Sequence, residues 1–166
     1  MPDSLDGRYE LIVLHAFLLF RRLKQDHAPG PAQAASDSAR LAQDLFDVMF
    51  LDMDRSLREI GVGDLGVGKR VKRMAEAFYG RVEAYEAGLC GEGTGDDADL
   101  AAALRRNLYG TVAPGQPLVA AMAGYLRREA AALAAQDLGS LMAGRVAFGP
   151  PPDALPEAPA EPPSGA

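Results

Sequence analysis

Gly61-x-Gly63-x-x-Gly66 has the spacing of a dinucleotide-binding fingerprint, and Gly63-x-x-x-x-Gly68-Lys69 has most of a phosphate-binding loop. The chemistry on offer is the cradling of phosphate. Glycines let main-chain N–H groups close round an anion, and the following helix adds the positive end of its dipole. Both devices need a strand leading into the glycines, whereas the apolar residues from Leu41 to Ile60 recur at helical spacing. Lys69 is followed by Arg70, where a phosphate loop places Ser or Thr for magnesium, and no apolar strand ending in Asp follows downstream. The glycines are therefore expected to turn one helix sharply into the next, with Asp64 as an N-cap. An enzyme built on this segment stands as a third reading, behind the two developed below.

Other reactive side chains give no stronger signal. Asp52, Asp54 and Glu59 each have an arginine, Arg55 or Arg58, at helical spacing. That pattern makes a solvated, ion-paired face, with each exposed pair worth about 0.3–0.5 kcal/mol. His15 and His27 have no partner at metal-ligand spacing. His15, inside an apolar run, is expected to be a core side chain. Cys90 is the single cysteine and lies in a Gly-rich stretch, so it reads as an incidental loop thiol that suits a reducing cytoplasm. No nucleophile–base pair stands out. No catalytic residue, cofactor or metal is expected. Lys69-Arg70-Val71-Lys72-Arg73 reads first as a solubilising face and second as an electrostatic contact surface for RNA or anionic lipid.

The elements that position these residues are helical. The chain has 166 residues, 48 % of them hydrophobic, with Ala and Leu dominant and no Trp. A net charge of −6 argues against broad, charge-driven nucleic-acid binding. A first helix runs from about Arg8 to Lys24, and a Pro/Ala/Ser-rich linker that extends through Asp37 is expected to be mobile. Ser36, Asp37 or Ser38 would cap a second helix ending near Ile60. On it Leu41, Leu45, Phe46, Met49, Met53, Leu57 and Ile60 share one arc.

The third helix starts near Val67, with Val71, Met74, Phe78, Val82, Tyr85 and Leu89 on its stripe. Asp96 or Asp97 would cap a fourth, ending near Tyr109-Gly110. The fifth runs from about Pro117 to Asp137, and Leu138 to Phe148 adds a short helical turn. From Gly149 the Pro/Ala-rich composition reads as a disordered tail. The longest apolar run, Leu11 to Phe20, would reach about 15 Å as a helix against a hydrocarbon core of about 30 Å. The acidic N-terminus is unlike a secretory or mitochondrial leader. The expected fold is all-α: one compact bundle of about five to six helices over residues 1–148, with a tail over 149–166.

Several segments resemble the ubiquinol–cytochrome c chaperone family. They are Leu14-His15-Ala16-Phe17-Leu18 and Leu45-Phe46-Asp47-Val48-Met49-Phe50, followed by the run from Asp52-Met53-Asp54-Arg55-Ser56-Leu57-Arg58-Glu59-Ile60 through Gly61-Val62-Gly63-Asp64. The likeness continues in Val67-Gly68-Lys69 and Met74-Ala75-Glu76-Ala77-Phe78-Tyr79-Gly80-Arg81, and again from Leu104 to Gly110 with its Asn107. It spans about residues 5–148 and is most specific from 45 to 81. The resemblance implies a non-enzymatic, all-helical assembly chaperone of the bacterial form. Such a protein engages newly made cytochrome b for the bc1 complex, with a dedicated assembly partner and the ribosome as further contacts. Its place would be the cytoplasm, peripheral at the inner face of the inner membrane. Met1-Pro2-Asp3 stands where the family has Val-Pro-Asp in mid-sequence. The native chain is thus expected to be longer, with a helical stretch ahead of Met1 that covers apolar surface.

A soluble holder of a membrane protein needs apolar grooves and a charged rim. The rim is expected on Asp52, Asp54, Arg55, Arg58, Glu59, Asp64, Lys69 and Lys72, with Met49, Met53 and Met74 giving adaptable apolar contact. The competing reading is a ribosome- or RNA-contacting adaptor using Lys69, Arg70, Lys72 and Arg73.

Overall fold

The computed structural model describes residues 5–25, 32–91, 98–110 and 112–152. Its elements are α1 (Leu5–Gln25), α2 (Ala32–Glu59), α3 (Asp64–Cys90), α4 (Ala98–Asn107), α5 (Gln116–Ala135) and α6 (Leu138–Met142). No strand occurs among the described residues, as the Ala- and Leu-rich composition requires.

Several boundaries differ from the sequence-based expectation, and α1 already begins at Leu5, ahead of Arg8. α2 begins at Ala32, so residues 32–37 are helix and not linker. Ala32, Gln33, Ala34 and Ala35 are strong helix formers, and their propensity carries the helix through Ser36, Asp37 and Ser38. Ser38 is buried and lies well inside the helix, past the cap position. α3 begins at Asp64, three residues before Val67, with Gly63 as its N-cap. α4 stops at Asn107, short of Tyr109-Gly110. The capping proposed for Asp96 or Asp97 falls outside the described residues, as does His27.

α1 sits at the centre and buries two faces. Leu14, Phe17 and Leu18 join Tyr85 of α3, Leu100 and Leu104 of α4, Val119, Leu126 and Leu133 of α5, and Leu141 of α6 in one sealed cluster. Val13, Ala16 and Phe20 face the other way, onto Phe50 of α2 and Phe78 of α3. α3 and α4 approach so closely at Gly88 that a β-carbon there would lie 2.7 Å from the Leu100 Cα. Only glycine permits that contact.

Arginines tie the helices at their ends. Arg22, almost fully buried, donates to the carbonyls of Leu133 (2.8 Å) and Gln136 (3.0 Å), covering acceptors that the end of α5 leaves open. Arg127 does the same for α3 through the carbonyl of Gly88 at 3.2 Å. Arg81 pairs with Glu10 at 2.6 Å, with both side chains largely buried, and Arg21 pairs with Glu86 at 3.0 Å. Burial, with the Glu10 charge behind it, pushes the neighbouring Tyr85 phenol well above its usual range.

Candidate functional site

α2 and α3 form a long antiparallel hairpin whose bend is the glycine segment. Gly61 has φ +89°, a left-handed conformation that favours glycine. The Gly61 N–H donates to Arg58 O and the Val62 N–H to Leu57 O, each at 3.0 Å, which is the bond pattern of a Schellman helix end. Gly63 and Gly66 have ordinary backbone angles. The segment entering the glycines is helix, so these residues reverse a chain and lack the strand that a phosphate cradle requires.

Asp64 is not the cap expected of it. It occupies the first position of α3, where its charge complements the helix dipole, and it pairs with Arg58. Arg58 also donates through Nε to Asp54 Oδ2 at 2.7 Å. The hydrogen bond and charge of Asp54, with Asp64 behind them, raise the Arg58 guanidinium above its ordinary range. One arginine thereby pins both arms of the bend. Arg55 turns to Glu59 at 3.1 Å and not to Asp52, which stands exposed. Lys69, Arg70, Lys72 and Arg73 are all exposed on α3, with Lys72 at 3.9 Å from Glu76. The structure thus gathers Asp54, Arg58 and Asp64 into one cluster, sets Arg55 and Glu59 beside it, and leaves Lys69 and Lys72 on the other arm.

The apolar surface under this rim was only partly foreseen. Met49, Met53 and Met74 are half-buried against the second cluster, so they are walls as much as free contacts. Ile60, expected on the buried arc, lies just past the end of α2 and is 62 % exposed. Val48 and Leu51 are exposed at 62 % and 70 % on the outer side of α2.

Two clefts flank α2. One of about 570 Å³ lies among α1, α2 and α3, lined by Phe20, Leu23, Phe46, Phe78 and Tyr79, with Lys24 beside them. The other, of about 410 Å³, lies between α1 and α2 and is lined by Leu11, Ile12, Leu19, Leu45 and Met49, with His15 as its polar member. His15 is half-buried at the cleft and not sealed in the core. Its Nδ1 bonds the Leu11 carbonyl and its Nε2 bonds the Tyr125 hydroxyl, each at 2.8 Å. The sequence signal for this surface was the apolar residues off the main arcs: Ile12, Val48, Leu51 and Tyr79.

This surface can hold apolar side chains and steer charged ones. Among the described residues no group of three or more His, Cys, Asp or Glu side chains is placed to hold a metal ion. No described helix is long and apolar enough to cross a membrane.

The sequence model of the ubiquinol-cytochrome C chaperone family matches residues 1–148. Ubiquinol-cytochrome-c reductase complex assembly factor 1 of Xenopus laevis is 24 % identical over 129 residues, covering 78 % of this chain and 58 % of that protein. The Mus musculus counterpart is also 24 % identical over 129 residues, covering 78 % of this chain and 40 % of that protein. The chain therefore matches about half the length of these relatives. Among solved structures, the crystal structure of the Cbp3 homolog from Brucella abortus is similar, with a TM-score of 0.72 and 38 % identity. That likeness covers 90 % of this chain and 76 % of that one.

Proposed function

This chain belongs to the ubiquinol-cytochrome C chaperone family, and from that premise we propose that it acts without catalysis, holding newly made cytochrome b for assembly into the bc1 complex. The observation that carries this reading is the incompletely covered second cluster. Its two clefts, with exposed Val48, Leu51 and Ile60, present apolar surface that a folded protein normally hides. A membrane-protein client has apolar helices to lay against such surface and short charged loops to meet the rim. Asp52, Asp54, Arg55, Arg58, Glu59, Asp64, Lys69 and Lys72 form that rim. Arg58 keeps the hairpin in shape through Asp54 and Asp64, while Arg55, Lys69 and Lys72 face outward to the client. A membrane client would call for a protein in the cytoplasm, peripheral at the inner face of the inner membrane.

The test is a strain lacking the gene, assayed for assembled bc1 complex and for cytochrome b. Loss of both, restored by the wild-type chain, is the expected result; normal complex levels refute the client. Reversing charge at Arg55 and Lys69 together is expected to reduce recovery of cytochrome b with helicity unchanged. Client holding through apolar contact should survive raised salt. If capture instead depends on Lys69, Arg70, Lys72 and Arg73 and vanishes with salt alongside ribosomes, the contact is electrostatic and the adaptor reading replaces this one.

A further inference from the structure

Past α6 the chain turns back onto the bundle. Gly144, at φ +74°, closes α6 in a Schellman turn. Its N–H donates to Leu141 O and the Arg145 N–H donates to Ser140 O, each at 2.9 Å. Residues 145–150 then run antiparallel to α5 as a strap, its Gly149 and Pro150 lying where composition alone placed the disordered tail.

The strap is held by its main chain. The Gln136 carboxamide meets both polar atoms of Ala147, donating from Nε2 to Ala147 O at 2.7 Å and accepting the Ala147 N–H at 3.0 Å. Seven residues earlier, within α5, Glu129 accepts the Gly149 N–H at 2.7 Å. Arg128 donates to Pro150 O at 2.6 Å and lies 5.1 Å from the centre of the Tyr125 ring. One side chain anchors the strap: Phe148 meets His15 edge-on, with ring centres 5.0 Å apart.

Two features make this more than surface packing. Glu129 is a fully buried carboxylate, bonded by Arg128 Nε at 3.0 Å and otherwise aimed at the strap. A buried charge needs such donors, so the position is built to receive a main-chain N–H. A β-carbon on residue 149 would lie 2.8 Å from Glu129 Oε1, so any larger residue there must push that buried carboxylate aside. Pairing of a carboxamide with both main-chain groups of one residue reads a peptide backbone much as an added strand does. No strap residue belongs to either buried cluster, so the bundle does not need the strap to close its core.

We propose that Glu129 and Arg128 of α5, Gln136 at its C-terminal cap and His15 of α1 form a docking groove for a peptide main chain carrying an aromatic–glycine step. The strap is its occupant in cis, and such a segment of a partner protein displaces it. His15 also lines the α1–α2 cleft, but none of the residues substituted below lies in the client surface, so peptide binding and client capture are read separately.

The probe is a fluorescent peptide of residues 145–152, titrated by anisotropy against the full chain. A tethered occupant competes at an effective concentration of millimolar order. The wild type should therefore bind the peptide at least about tenfold more weakly than a chain carrying Phe148→Ala and Gly149→Val, which loosen its own strap. Adding Gln136→Ala to that chain should abolish binding, as should replacing the glycine of the peptide by valine. If the double variant loses helicity by circular dichroism, Phe148→Ala alone must give a gain in the same direction. Equal binding to wild type and loosened chains, no binding to any helical variant, or indifference to Gln136→Ala overturns the proposal. So does equal binding of a scrambled peptide.

Discussion

The two faces of α1 meet very different neighbours. On one side Leu14, Phe17 and Leu18 are enclosed by α3, α4 and α5, and Tyr85, Leu100, Leu104, Leu126 and Leu133 are sealed with them. On the other side Val13, Ala16, Phe20, Phe50 and Phe78 are well covered, while Leu45, Phe46, Met49, Met53, Val71 and Met74 stay half open. The second face is no poorer in contacts between rings. Phe46 lies 4.5 Å from Phe50, 5.8 Å from Phe78 and 5.6 Å from Tyr79, measured between ring centres. What differs is enclosure: α2 and α3 cover this face as a two-helix flap with clefts on either side. Apolar burial contributes roughly 25 cal/mol per Å² removed from water. The first cluster has taken most of that on folding, and the second still has some left to gain.

Truncation separates the two most sharply. Leu104→Ala and Leu126→Ala, each in the sealed cluster, should lower unfolding free energy by about 2–5 kcal/mol in urea titrations. Losses under about 1 kcal/mol would erase the distinction. Gly88→Ala should cost about 1–3 kcal/mol, because α3 and α4 must part to admit a β-carbon against the Leu100 backbone.

Phe46→Ala, on the open face, should cost only about 1–2 kcal/mol, below the usual 3–5 for a buried phenylalanine. It should nevertheless reduce cytochrome b recovery more than Leu104→Ala does, once both chains are compared at equal folded fraction. The reverse ranking would mean that the open face holds no client.

The smallest effect is one of pH. Asp137 caps α6 by accepting the Ser140 N–H at 2.8 Å, and that bond lowers its pKa. Its contribution is complete above the ordinary aspartate value, about pH 4, and is lost as pH falls through the lower folded value. Amide exchange at Ser140, corrected for intrinsic rate, should therefore lose protection in acid. Asp137→Asn, which still accepts the bond when uncharged, should flatten that dependence.

Periodicity exposed some of this and hid the rest. The stripe from Val67 to Leu89 and the helix-reversing role of Gly61 follow from local spacing and backbone freedom, and both stand in the structure. The start of α2 was misplaced because Ser36 and Asp37 look like caps, while the alanines ahead of them extend the helix. The ion pairs Asp54–Arg58 and Arg55–Glu59 were nameable because their partners stand at i, i+4. The clefts were not, since Phe20, Phe46 and Tyr79 meet only after three helices assemble. Nor were the ties of Glu10 to Arg81 or Arg21 to Glu86, whose partners lie 71 and 65 residues apart.

Arg22 carries a consequence for the birth of this protein. Its guanidinium reaches the Leu133 carbonyl, 111 residues further along the chain. At synthesis rates of about 5–20 residues per second, roughly 6 to 22 s pass between translation of the two positions. Until then the apolar stretch Leu11 to Phe20 of α1 lacks the part of its cover that α5 supplies. A protein whose proposed work is to shelter others thus begins life in want of shelter itself, and slowing its own translation should make its nascent chains more prone to stick.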